Sequence, residues 1–101
     1  QIALTDAVNV SLELLAGGIR PFATNRGRVL RTYLQAVGPL AERAAASWSD
    51  LYPAIASHAA SSGRAREAEF LARYVDLHMK LVSNGSLTVE QINRRLANAL
   101  S

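Results

Sequence analysis

The sequence predicts an all-α protein, a compact bundle of four to six antiparallel helices forming a single domain over 1–101. Three observations carry this. Apolar residues recur at helical spacing through every long segment. Alanine and leucine dominate an apolar half of the chain while aromatics make up only 6%, a composition that favours closely packed helices. Glycine, proline and asparagine then punctuate the pattern at short intervals, and no segment alternates with the period two of a strand. A chain of 101 residues is long enough to bury a core without disulfide or metal staples.

The first helix is expected over Ile2 to Ala16, with Asp6, Asn9 and Glu13 as one narrow polar stripe. Its remaining circumference is apolar, so it is either central to the bundle or covered by another chain. Gly17-Gly18 ends it. After an irregular stretch, Thr24-Asn25 is placed to cap a second helix from Arg26 to Val37, with Leu30, Tyr33, Leu34 and Val37 inward. Gly38-Pro39 is expected to break or kink that helix, with a fresh start near Pro39 and the stretch from Leu40 to Trp48 continuing helical. Asp50 then reads as the N-cap of a helix reaching Ser61, with Pro53 in its first turn and Leu51, Ala54, Ile55, His58 and Ala59 as its apolar face.

The segment from Arg64 to Val82 carries two adjacent apolar stripes, Phe70-Tyr74-Leu77-Leu81 and Ala68-Leu71-Val75-Met79-Val82. That width predicts a central helix touching several neighbours. Asn84-Gly85 stops it. The last helix opens on Thr88-Val89-Glu90-Gln91, the spacing of a capping box, and turns Val89, Ile92, Leu96 and Leu100 inward.

Chemistry is sparser than architecture. The absence of cysteine removes disulfides, thiolate nucleophiles and cysteine-ligated metals together. The two histidines, His58 and His78, sit on different helices without convergent ligands, each expected at a helix edge. Ser49, Asp50 and His58 are the residue types of a catalytic triad, but no G-x-S-x-G turn presents the serine. No enzyme activity and no cofactor are expected.

Charge is more informative. The net charge is +3, and residues 20–31 hold Arg20, Arg26, Arg28 and Arg31 without an acid. Arginines around a helix N-terminus suit phosphate groups, and Arg26-Gly27-Arg28 is similar to the basic core of minor-groove hooks, without their flanking prolines and lysines. The other reading is a solvated turn whose arginines pair with Asp6, Glu13 or a neighbouring acidic face. Arg94 and Arg95 form a second basic spot, in a segment patterned like the first helix of a helix-turn-helix unit whose recognition helix would lie beyond Ser101. Trp48 and Tyr52, four residues apart, either plug one end of the bundle or anchor a partner.

These features point to a non-catalytic interaction or assembly module, such as a small accessory subunit docked to itself or to another protein. The alternative is a nucleic-acid-binding domain working through Arg20, Arg26, Arg28 and Arg31, with Arg94 and Arg95. No apolar stretch is long enough for a membrane span, so a soluble chain of open localisation is expected. Its start at Gln1 fits a processed mature chain or a fragment of a longer protein.

Overall fold

A computed structural model describes residues 2–22, 24–44 and 47–101. They form five helices: α1 (Leu4–Ala16), α2 (Arg26–Arg43), α3 (Trp48–Ser61), α4 (Ala65–Ser83) and α5 (Val89–Leu100), with no strand among the described residues. The radius of gyration of 12.8 Å is that of a folded chain of this length, about 13 Å for 100 residues.

Helix ends follow from local chemistry. Beyond α1 the Gly18 and Ile19 amides turn back to the Leu15 and Leu14 carbonyls, with Gly18 at φ 88. This Schellman closure places the left-handed residue where glycine adopts it without a Cβ clash. Beyond α3, Gly63 (φ 73) and the Arg64 amide, 2.7 Å from the Ala59 carbonyl, repeat it. The capping box of α5 is complete: Thr88 Oγ1 accepts from the Gln91 amide at 3.1 Å, and Gln91 Oε1 accepts from the Thr88 amide at 2.8 Å. At the start of α2, Asn25 occupies the N-cap position at φ 61, outside the extended region that aims a capping oxygen at the helix, and its side chain makes no cap bond.

Two helix boundaries differ from the sequence expectation. Gly38-Pro39 does not break α2, which runs through to Arg43. Gly38 is buried, and a Cβ there would stand 2.7 Å from Met79 Sδ. Close packing of α2 on α4 thus outweighs the one intrahelical bond that Pro39 cannot donate. The separate helix from Leu40 to Trp48 is consequently absent: the chain leaves α2 at Ala44, and Ala45 and Ala46 lie outside the described residues. Trp48 instead opens α3 behind Ser47, and Asp50 sits in the first turn rather than at the cap. Starting earlier lets Trp48 pack against the core, at the expense of carrying Pro53 inside the helix.

α4 touches each of the other four helices. Ala68, Leu71, Tyr74 and Val75 are buried along it and meet Leu30, Leu34 and Val37 of α2, Ala7, Leu12 and Leu15 of α1, Ile55 and Ala59 of α3, and Leu96 of α5 in one core. α1 needs no second chain to cover its wide apolar face, because α2 and α4 both pack on it and leave Asp6, Asn9 and Glu13 outside. Ser11 is wholly buried in α1, and its hydroxyl finds no partner among the described residues. Three positions expected inward or at an edge are corrected. His58 is exposed; Val89 shares a helix face with buried Leu96 but stands two turns before it, at the N-terminal end of α5, and is 72% exposed; and His78 is buried against Tyr74. No helix is long and apolar enough to cross a membrane.

Candidate functional site

The basic segment divides on inspection. Arg20 Nη1 donates to the Leu15 carbonyl at 3.3 Å and the Ile19 carbonyl at 2.9 Å, and its guanidinium lies 5.6 Å from the Phe70 ring centroid. Arg31 Nη1 donates to the Pro21 carbonyl at 3.2 Å. These two arginines tie the loop before α2 to α1 and the core through backbone carbonyls, which fix the guanidinium groups but do not neutralise them, and Arg20 remains exposed. Arg26 and Arg28 stay exposed. Arg20 and Arg26 edge one open hollow with Gly18, Thr24, Asn25 and Gly27. Arg94 and Arg95 are exposed on α5 and do not line that hollow. Neither Asp6 nor Glu13 pairs with the cluster. Glu13 instead meets Arg64 at 3.4 Å, the one ion pair among the described residues, and such exposed pairs contribute little.

The arginine loop leans on a ladder of rings along α4. Phe22 meets Phe70 edge-on at 6.4 Å, Phe70 meets Tyr74 at 6.3 Å, and Tyr74 stacks on His78 at 6.3 Å. The Tyr74 hydroxyl accepts from Gln35 Nε2 at 3.0 Å, and the same amide donates to Asn93 Oδ1 at 2.9 Å, linking α2, α4 and α5. Burial pushes the Tyr74 phenol above its usual range, against smaller opposing effects of the Gln35 bond and the Arg31 charge.

Burial also holds His78 below the usual histidine range. The unfolded chain therefore takes up a proton on this ring before the folded one does. Stability owed to the neutral ring is complete above about pH 6.5 and declines as pH falls through the folded value. The urea midpoint is expected to drop between pH 7.5 and pH 5.5, and to drop less in His78→Phe, which keeps an aromatic on Tyr74. An equal drop in both proteins would place the acid sensitivity elsewhere.

The triad residue types do not converge. Ser49 and His58 are nine residues apart on one helix, about 13 Å along its axis, so no proton passes between them. Among the described residues no three histidines or carboxylates cluster as metal ligands.

Trp48 and Tyr52 stand one turn apart at the start of α3, their ring centroids 6.0 Å apart and tilted by 44°. Both are half-buried: Trp48 packs one side against the core, and the two rings with Ser49 form one wall of a hollow of about 470 Å³. The other wall is α4, through Glu69, Ala72, Arg73 and Asp76. This second wall was not singled out in the sequence, because charged residues on an exposed helix face read as solvated. The only hint was their i, i+3, i+4, i+7 spacing, which places them on one face. A smaller hollow of about 240 Å³ lies between α1 and α3, floored by Val8 and Ile55.

No family model, curated protein or solved structure matches the chain.

The site is therefore read from its own geometry. It is an open, mostly apolar groove with two aromatic faces and three charged groups, none of which pairs within the chain among the described residues. Among the described residues it presents no nucleophile–base pair and no convergent ligand set.

Proposed function

We propose that this domain is a non-catalytic protein-docking module, a small accessory component of a larger assembly, with the Trp48–Tyr52 groove as its partner-facing surface. The observation that supports this most is the placement of the chain's single tryptophan. Only Tyr74 among the six aromatic side chains is buried; of the half-buried ones, Trp48 and Tyr52 are the pair that stands side by side over a groove walled by charged residues of α4. Tryptophan and tyrosine, partly desolvated beside charged neighbours, are the residues that dominate binding energy at protein interfaces.

A photo-crosslinking residue at exposed Ser49 is expected to capture a discrete partner in native extract, with at least fivefold less product when Trp48→Ala and Tyr52→Ala are added. The same crosslinker at exposed Ala99 on α5 is expected to capture none. Diffuse products, or products indifferent to the aromatic substitutions, would count against the reading.

A nucleic-acid role draws support from one observation, that Arg26 and Arg28 beside the α2 N-terminus are exposed and form no ion pair among the described residues. It is weaker because Arg20 and Arg31 are occupied with backbone carbonyls. Failure of the groove crosslink, together with oligonucleotide binding that weakens steeply with salt and on Arg26→Ala/Arg28→Ala, would transfer the role to the basic turn.

A further inference from the structure

We propose that the groove between α3 and α4 receives a cationic side chain, a lysine or arginine borne by a basic segment of the docking partner. This rests on the docking reading above and adds the chemistry of the guest. Glu69, Arg73 and Asp76 face Trp48 and Tyr52 across the hollow. Two carboxylates against one guanidinium leave one negative charge, on a chain whose total is +3. Arg73 follows Glu69 by four residues and precedes Asp76 by three, both helical pairing distances. It pairs with neither among the described residues, so both carboxylates are open to the guest.

The aromatic wall supplies what a lone carboxylate lacks. Ring faces attract cations, tryptophan most strongly, and the contact strengthens once water is displaced. Ala72, half-buried between Glu69 and Asp76, keeps the opposite wall low enough for an aliphatic stem to lie along it. Other guests fit less well. An acidic side chain meets two carboxylates and has only Arg73 in its favour. An apolar one covers both carboxylates without giving them a partner, which is unfavourable.

Trp48 is the only tryptophan, so its emission reports on the groove directly. The whole chain is titrated with three ten-residue peptides in which glycine alternates with arginine, glutamine or glutamate. The arginine peptide is expected to shift Trp48 emission at a concentration at least tenfold lower than the glutamine peptide, despite the basic charge of the chain as a whole. Glu69→Gln combined with Asp76→Asn is expected to reduce that preference at least fivefold. Both positions are exposed, so the circular dichroism of this variant should match that of the parent. Equal responses to the three peptides, no response to any, or a preference that survives the double substitution would each overturn the proposal. A preference for the glutamine or glutamate peptide overturns the cationic guest while leaving docking intact, whereas docking itself fails only on the Ser49 crosslink.

Discussion

Tyr74→Ala is expected to remove about 4 kcal/mol of stability, the range for deleting a fully buried aromatic ring. Small domains have about 5–15 kcal/mol in total, so this variant should sit close to the unfolding threshold in buffer. The size of the effect comes from what meets at this side chain. It is fully buried, lies between Phe70 and His78 in the ring ladder, and receives the Gln35 bond that links α2 to α4 while Gln35 also holds Asn93 of α5. Tyr74→Phe keeps the ring and loses only the hydroxyl, leaving Gln35 its bond to Asn93, and should cost about 1 kcal/mol. Urea denaturation of the two variants separates the contributions. Equal small losses would mean that the ladder is not packed as described.

Gly38→Leu should be the second most damaging change, at about 2–3 kcal/mol, through overpacking. Gly38 is buried where α2 crosses α4, and even a methyl group there would stand 2.7 Å from Met79 Sδ and 2.8 Å from Met79 Cγ. Gly38→Ala sets this crowding against the gain of about 1 kcal/mol from replacing glycine inside a helix. Methionine is flexible enough to move, so the alanine variant should lie near the parent. Adding Met79→Ala to Gly38→Leu should restore part of the loss, giving a non-additive cycle. Strict additivity would show that the two residues do not touch.

The same contact explains why part of the fold was legible in the sequence and part was not. Features governed by a few neighbouring residues read correctly: the polar stripe Asp6-Asn9-Glu13, the glycine closure after α1, the Thr88–Gln91 box, and the breadth of α4's apolar surface that made it central. Gly38-Pro39 misled because its local preference for ending a helix was outweighed by a residue 41 positions away. Asp50 misled in a related way: the helix starts behind Ser47, three residues earlier, where Trp48 packs on the core. Val89 and His58 fit an inward face by spacing alone, but the neighbours that would have covered them lie elsewhere.

The groove shows the same limit. Trp48 and Tyr52 were identifiable as unusual, and the arginines as a cluster. The wall of Glu69, Ala72, Arg73 and Asp76 depends on how α3 lies against α4, which helical periodicity does not encode. Nor does composition reveal that Arg20 and Arg31 serve backbone carbonyls while Arg26 and Arg28 do not.

One consequence of α4's position concerns the entropy of recognition. The helix that carries Glu69, Arg73 and Asp76 on its outer face carries Leu71, Tyr74 and Val75 on its inner face, with every other helix resting on it. The backbone of that wall is thus held by the core. Flexible recognition loops give up conformational freedom when a partner arrives, and that loss subtracts from affinity. A groove preorganised on the bundle's central helix loses little on its own side, so ordering the guest dominates the entropic cost of complex formation. Tightness would then depend more on how stiff the partner's segment is than on any adjustment within this domain.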